Sequence, residues 1–241
     1  MIARRITYIA ASFCTVLAIV IAGTNGIGNP WVRWHADYAT GVGEFETVAL
    51  PDGTIAHLNT ASAFSIDFSG NDRRIELSVG EVIFDVAKDV EHPFIVTASG
   101  GEAMAVGTVY GVRIDDEQVD VTVQEGIVEV RNETGNAIRL TAGEQGFYRS
   151  GDAPDVYKDA DISTYGSWQR GKLIFNSRAL GDVINEVQRY KNEKIIIARD
   201  SLRDLKVTGV FETTNLDDLL NSLEQTVGAT VVRLPLLTVI Y

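Results

Sequence analysis

The chain has 241 residues, a net charge of −12 and 45% hydrophobic residues, which is ordinary for a globular protein of one or two domains. Its single cysteine, Cys14, excludes an intramolecular disulfide. Residues 24–164 carry 24 acidic and 9 basic side chains, so this part should repel nucleic acid, whose binding requires phosphate neutralisation by Lys and Arg. After residue 164 the charges nearly balance, which marks a candidate domain boundary.

The amino terminus has the pattern of a membrane-directed segment. Arg4 and Arg5 are followed by residues 6–23, which contain no charged side chain and reach the lower length limit of a membrane-spanning helix. A positive flank before an apolar run is also typical of a signal peptide. We therefore expect residues 1–23 to be a membrane anchor or a signal segment, with a buried globular helix as the remaining alternative. Because positive residues stay cytoplasmic, residues 24–241 should face the other side of the membrane.

Residues 24–36 are predicted to be a connector, since they contain two glycines, a proline and two tryptophans. Residues 37–160 are predicted to form a β domain, because alternating apolar and polar runs recur about every ten residues, as in a β-sandwich or a β-solenoid. Glycine-centred turns separate several of these runs. The predicted strands are residues 46–50, 55–59, 64–68, 74–79, 82–86, 94–98, 103–106, 110–114, 119–123, 127–131 and 137–141.

The pattern changes after residue 161, and residues 165–241 are predicted to form a small α+β module in the order β-α-β-β-α-β. Two helices are expected, each with apolar residues at helical spacing. Ser177 is a candidate N-cap of the first helix, and both helices are expected to cover one face of one small sheet. The two apolar stripes consist of Leu180, Val183, Ile184 and Val187, and of Leu216, Leu219, Leu220 and Leu223.

Residue types that carry out chemistry are poorly clustered in this sequence. His35, His57 and His92 lie far apart and lack the short spacing of a zinc site. Residues 115–117 are acidic, but they lack the alternating oxygen ligands of a calcium loop and favour a solvated hairpin turn. We therefore expect no metal, no cofactor and no metabolic activity.

The dipeptide Gly107-Thr108 is the one candidate for reactivity. A threonine hydroxyl can attack the carbonyl carbon of the preceding residue when the peptide is strained in a tight turn, and water can then cleave the resulting ester. A glycine turn followed by a β-branched strand residue has the same sequence. Both interpretations remain open at this point.

Short motifs follow one another in a fixed order along the chain. They are residues 50–54, 58–62, 74–77, 80–86, 92–96, 106–113, 123–128 and 142–145, followed by Trp168, Gly171, Phe175, Leu180 and Arg189-Tyr190. Each motif is weak by itself, but the ordered set resembles the extracytoplasmic part of FecR-type transmembrane sigma regulators, from about Asp37 to the end of the chain.

The resemblance implies a single-pass protein of the inner membrane, with most of the chain in the periplasm. Such anti-sigma factors receive a signal from an outer-membrane TonB-dependent receptor and pass it to an extracytoplasmic-function sigma factor. It also implies that residues 165–241 are similar to the short periplasmic signalling domain of these receptors and bind such a domain. Some family members are thought to cleave themselves at the Gly-Thr bond that corresponds to Gly107-Thr108.

The chain departs from the family pattern at its amino terminus. Family members carry a cytoplasmic sigma-binding domain there, whereas only residues 1–5 precede the apolar segment of this chain. We therefore expect either a misplaced start or a shortened regulator, and a sigma factor as partner only if a cytoplasmic domain is missing from this chain.

Two other classes of function compete with signalling. The first is a β-domain protein that binds a cell-envelope polymer and has no signalling role. The second is an enzyme, such as a carbohydrate hydrolase that uses two carboxylates. The acidic residues of the β domain are numerous, but the sequence marks no catalytic pair among them.

Overall fold

The structure, a computed structural model, describes residues 35–158, 160–227 and 229–241. The expected anchor and nearly all of the connector lie outside the described residues. Within the described part of the chain, no helix combines the length and the apolar character needed to cross a membrane.

The prediction of a mainly β fold is confirmed, and each of the eleven predicted strands of the β domain is found within about two residues of its expected bounds. Three further strands, β1, β13 and β14, complete the domain. The strands are β1 (Tyr38–Ala39), β2 (Glu46–Ala49), β3 (Ile55–Leu58), β4 (Ala63–Asp67), β5 (Arg73–Val79), β6 (Glu81–Asp85), β7 (Phe94–Ala98), β8 (Gly101–Ala105), β9 (Val109–Asp115), β10 (Gln118–Glu125), β11 (Ile127–Asn132), β12 (Ala137–Thr141), β13 (Gln145–Arg149) and β14 (Asp155–Val156).

These strands form two seven-stranded sheets that share one core. Sheet 1 has the order β1-β4-β5-β7-β8-β11-β12, and sheet 2 has the order β14-β13-β10-β9-β6-β3-β2. In both sheets all neighbours pair antiparallel except β5 and β7, which run parallel. Because buried side chains from both sheets fill the space between them, the domain is a β-sandwich.

The core of the sandwich follows from the period-two alternation of its strands. In β5, Ile75 and Leu77 point into the core while their neighbours are exposed. Aromatic rings at the centre bridge the two sheets: the ring of Phe84 in sheet 2 lies 5.9 Å from Phe64 and 5.3 Å from Phe94 in sheet 1, centroid to centroid. These edge and tilted contacts are geometries that aromatic pairs favour.

The carboxy-terminal module has the predicted order β-α-β-β-α-β, with a hairpin as its last β element. Both predicted apolar stripes are buried along their full length. A short 3-10 helix, Ser167–Arg170, precedes the first strand of the module, and another, Asp200–Leu202, lies between its second and third strands. Its elements are β15 (Lys172–Ala179), α1 (Leu180–Gln188), β16 (Lys194–Ile197), β17 (Lys206–Glu212), α2 (Asp217–Val227), β18 (Val231–Leu234) and β19 (Leu237–Ile240).

Two details of the module differ from the sequence-based expectation. The strands form two sheets instead of one: sheet 3 pairs β15 with β17, and sheet 4 has the order β16-β19-β18. Ser177 does not cap α1, because β15 continues to Ala179, which occupies the cap position without a side-chain hydrogen bond. Ser177 instead has φ of +48° where the register between β15 and β17 shifts, so it belongs to a bulge.

Candidate functional site at the joint between the two domains

The two domains meet in a buried joint that both hydrophobic and charged side chains build. Ile83 of the β domain lies in the hydrophobic core of the module, and Val109 and Tyr165 pack against that core. On the β-domain side the buried polar groups include Asn59, after β3, and Glu81, the first residue of β6. Both side chains are buried, which is unusual for a carboxylate unless it is paired.

The module contributes the carboxy-terminal end of α1 to the joint. Glu186 lies in α1, and Arg189 and Tyr190 follow at i+3 and i+4, so all three fall on one side of the helix. Trp168, from the 3-10 helix before β15, completes this surface. Glu186, Tyr190 and Trp168 are all buried, so the helix end is covered by the β domain.

Four charged side chains alternate in sign across the joint. Arg189 donates from Nη2 to Glu81 Oε2 and from Nη1 to Glu186 Oε1, both at 2.8 Å. Glu186 also accepts from Arg113 of β9, whose Nη1 lies 2.8 Å from Oε2. The chain of ion pairs thus runs from the β domain to the module and back. It ends at the surface, where Arg113 Nη2 contacts the exposed Asp115 at 2.8 Å.

The charges hold one another in their ionised forms. Burial alone would raise the pKa of Glu186, but Arg189 and Arg113 outweigh it and lower that pKa to about 2. Burial opposes the charge of Arg113 as well, yet Glu186 raises the pKa of Arg113 above its ordinary value. Glu186 and Arg113 therefore remain ionised at neutral pH.

Neutral donors and aromatic rings complete the joint. Asn59 Nδ2 lies 2.9 Å from both Glu81 Oε2 and the hydroxyl of Tyr190, and Trp168 Nε1 donates to Glu81 Oε1 at 3.3 Å. The ring of Phe45, from the loop before β2, stacks on Trp168 and is tilted against Tyr190, with ring centroids 6.0 Å apart in both pairs. Because Glu81 and Glu186 each accept hydrogen bonds from several donors, this arrangement fixes the orientation of the two domains.

The residues of the joint come largely from the motifs identified in the sequence. Asn59, Glu81, Arg113 and Trp168 belong to separate motifs, as does the Arg189-Tyr190 pair, and the fold brings them together. Sequence reasoning did not anticipate that they would meet, and it missed Glu186. The available signal for Glu186 was its position three residues before an arginine on a predicted helix.

The Gly107-Thr108 peptide lies elsewhere, just before β9. Gly107 has φ of +145°, a conformation that side chains other than glycine rarely adopt. Thr108 is 5% exposed, and among the described residues its Oγ1 has no hydrogen-bond partner. A buried hydroxyl without a partner costs free energy, so this position departs from ordinary turn chemistry.

The outer face of sheet 4 carries exposed apolar side chains, which we call the outer strip. Ile196, Val239 and Val232 pair across the three strands, and Leu234 and Leu236 lie at the hairpin end. Leu234 is 50% exposed and Leu236 67%. A group of this kind on a small open sheet is typical of an interaction surface.

The two edges of sheet 4 differ in how far they are closed. At the β16 edge, Gln188 accepts from the N–H of Ile195 and Arg203 donates to the carbonyl of Ile197. At the β18 edge, Glu224 accepts from the N–H of Val231. Hydrogen-bonded positions alternate along an antiparallel pair, so the backbone groups of Arg233 also face outward from β18. The β18 edge is therefore the more open of the two.

A polar cleft of about 730 Å³ lies beside the joint, between sheet 2 and the module. Asp120 lines it and accepts hydrogen bonds from Gln118 and from Tyr157. Burial raises the pKa of Asp120 above its ordinary value, although both hydrogen bonds oppose the shift. The neighbouring acidic turn at residues 115–117 joins β9 to β10 as a hairpin.

Comparisons with known proteins bear on both domains. The sequence model of the FecR protein family matches residues 36–129, and the model of the FecR carboxy-terminal region matches residues 172–233. Among curated proteins, none matches the chain. The matched regions contain Asn59, Glu81 and Arg113 on one side of the joint and Glu186 with Arg189 on the other.

Two crystal structures of a proposed anti-sigma factor from Parabacteroides distasonis, at 1.65 Å and 2.50 Å resolution, are similar to this chain. Both are 27% identical in sequence, with TM-scores of 0.71 and 0.70. Each alignment covers 85% of this chain and 97% of the other. A β-sandwich fixed to a small α+β module by a buried joint, with this likeness, defines a signal-transducing regulator of the anti-sigma class. The chain belongs to the FecR family.

Proposed function

We propose that the chain is a membrane-anchored periplasmic regulator that links an outer-membrane TonB-dependent receptor to an extracytoplasmic-function sigma factor. In this proposal residues 1–23 anchor the chain in the inner membrane, residues 24–36 connect, and residues 37–160 form the periplasmic β domain. Residues 165–241 are the docking module for the receptor.

The observation that carries the proposal is the combination of the outer strip with the open β18 edge. A strand of the partner can add beside β18, because the backbone groups of Arg233 face outward there. The side chains of Val232 and Leu234 then meet apolar side chains of the partner on the same face. The receptor's short signalling domain, itself a small βα module by family resemblance, has the sheet edge that this mode needs.

Titration of the full chain in detergent with the isolated signalling domain of the receptor encoded beside its gene tests this proposal. Leu234→Asp should weaken binding by about tenfold or more, because a carboxylate would be desolvated within an apolar contact. Val210→Asp is the matched control: Val210 is 57% exposed in the same module, but it lies on sheet 3. We expect it to bind like the unmutated chain.

Three outcomes contradict parts of the proposal. If the chain does not bind that signalling domain, the proposed link to the receptor is wrong. Equal effects of Leu234→Asp and Val210→Asp remove the outer strip as the docking surface. Binding to isolated cell-envelope polymer, abolished by substitutions in the polar cleft such as Asp120→Asn, favours the alternative of a polymer-binding protein.

A second proposed activity is a single self-cleavage between Gly107 and Thr108. The buried, unpartnered hydroxyl of Thr108 next to a glycine at φ of +145° favours it. On a denaturing gel, purified protein should give two bands, with one band in Thr108→Ala and partial cleavage in Thr108→Ser. A single full-length band from the unmutated protein over several days would return Gly107 to the role of a turn glycine.

A further inference from the structure

The backbone on both sides of the Gly107-Thr108 peptide is held by one loop, residues 86–89. The carbonyl of Val106 accepts a hydrogen bond from the N–H of Asp89 at 3.1 Å, and the carbonyl of Thr108 accepts from the N–H of Val86 at 2.9 Å. An atom added at the Cβ position of Gly107 would lie 3.1 Å from the side chain of Lys88. The peptide bond is therefore confined between two fixed points.

The loop is itself fastened by a buried arginine. Arg73 Nη1 donates to the carbonyl of Ala87 at 2.9 Å, and Nε donates to the carbonyl of His92 at 2.8 Å. Asp52 pairs with the same guanidinium at 2.7 Å, and both side chains are at most 10% exposed. The planar guanidinium holds these acceptors in fixed positions, so movement of the loop away from the peptide would break charge-assisted hydrogen bonds and cost free energy.

The side chain of Thr108 is also in close contact with Gly126. A Cβ added to Gly126 would lie 2.6 Å from Cγ2 of Thr108 and 3.2 Å from its Cβ. The methyl group of Thr108 therefore rests directly on the backbone of Gly126. Because a β-branched side chain has few χ1 rotamers, contact on the methyl also restricts where Oγ1 points.

From this contact we infer that Gly126 is a positioning residue for the attack of the Thr108 hydroxyl on the carbonyl carbon of Gly107. The inference rests on the proposed self-cleavage. A bond forms between Thr108 Oγ1 and the carbonyl carbon of Gly107, and the carbon–nitrogen bond breaks. The hydroxyl proton passes to the departing nitrogen. Water then adds to the ester, which leaves the carboxylate of Gly107 and the free hydroxyl and amine of Thr108.

The test compares cleavage rates of the full chain in four proteins: the unmutated chain, Gly126→Ala, Thr108→Ser and the double variant. Gly126→Ala should slow cleavage by about tenfold, because the added methyl displaces the Thr108 side chain from its rotamer. Serine lacks the methyl that rests on Gly126. Only the longer contact, 3.2 Å to Cβ, remains in serine, so in the Thr108→Ser background Gly126→Ala should slow cleavage by clearly less than it does in the threonine background.

Gly135→Ala is the matched control for backbone strain. Gly126 has φ of +87° and Gly135 has φ of +82°, but no atom lies within 4 Å of a Cβ added to Gly135. Gly135→Ala should cleave at the unmutated rate. Hydroxylamine traps the ester as a hydroxamate on Gly107, so mass spectrometry identifies the bond and the intermediate.

The outcomes separate the two proposals. If the unmutated chain cleaves and Gly126→Ala cleaves like Gly135→Ala, the positioning role of Gly126 is wrong and self-cleavage stands. If Gly126→Ala slows cleavage equally in the threonine and serine backgrounds, the positioning role of Gly126 is likewise wrong and self-cleavage stands. If the unmutated chain does not cleave, both proposals are wrong. If Gly126→Ala does not fold, the contact can be measured by NMR in the unmutated chain instead. Absence of a nuclear Overhauser effect between the Thr108 methyl and the Gly126 Hα would then overturn the inference.

Discussion

Replacement of Glu186 by glutamine is the sharpest test of the joint. The substitution keeps the size and shape of the side chain but removes the negative charge that lies between Arg113 and Arg189. Each arginine retains one other carboxylate, Asp115 and Glu81 respectively. Two guanidiniums nevertheless lose their shared partner in a buried place, which is the costly way to break an ion pair.

The size of the effect follows from the proton affinity of Glu186. Its pKa falls from the ordinary 4.5 to about 2 in the folded protein. At about 1.4 kcal/mol for each tenfold change in proton affinity, the ionised carboxylate contributes about 3 kcal/mol to the free energy of unfolding. This contribution is present in full above pH 4.5, the unfolded value, and is lost as the pH falls towards 2.

Urea unfolding of the unmutated chain and Glu186→Gln at pH 7 and near pH 2 measures this contribution. We expect the variant to be less stable by about 3 kcal/mol at pH 7, with most of the difference gone near pH 2. Asp182→Asn, an exposed change in the same helix, should cost less than about 1 kcal/mol. A difference below about 1 kcal/mol for Glu186→Gln at pH 7, with unchanged pH dependence, would refute the reasoning.

Two further predictions concern the cores. Leu220→Asp places an unpaired carboxylate at a fully buried position and should unfold the module, which circular dichroism in the near ultraviolet would detect as a lost signal. Gln225→Asp, on the exposed side of α2, should leave the module folded. Equal melting temperatures of the two variants would show that α2 is misplaced. Gly101→Ala should lower the free energy of unfolding in urea by about 1–3 kcal/mol, because the added methyl would overlap the buried ring of Tyr148. Gly70→Ala is the control, since a methyl added there meets no atom within 4 Å, and it should leave the stability unchanged. Equal losses in the two variants would contradict the packing around Gly101.

The strands of the β domain were predictable because two independent signals agree there. Alternation of apolar and polar residues gives the inward face of a strand, as in β5, and a turn residue gives its end. Family resemblance added the likeness to FecR regulators, and the sequence models and solved structures confirm it. Alternation and turn residues are both local features of the chain, so a single sequence is enough to recognise them.

The last hairpin was missed for a local reason. The predicted order β-α-β-β-α-β ends in a single strand, but the chain turns between β18 and β19 at Pro235 and Leu236. Leu236 has φ of +63°, a conformation usually taken by glycine or asparagine. Tertiary packing of Ile240 and Val231 in the module core supports this unusual turn, and no propensity rule predicts it.

The joint was missed because its contacts are distant in sequence. Asn59 and Tyr190 are separated by 131 residues, and Glu81 and Arg189 by 108. Nothing in the spacing of a single sequence indicates such a pairing. A buried glutamate on a helix also violates the rule that charges face water, so pattern reading assigns Glu186 to the solvent side.

The position of the Gly107-Thr108 bond in the topology determines how the two pieces of a cleaved chain would hold together. A cut there leaves β1–β8 on one chain and β9–β19 on the other, with one seam in each sheet, between β6 and β9 and between β8 and β11. The ion pair of Glu81 with Arg189 crosses the same division. The nicked protein would keep its shape, but its assembly would now be bimolecular, and pieces once separated would have to find each other again at cellular dilution. Separation would then be a one-way event, so each molecule could report its signal once and would have to be replaced by synthesis.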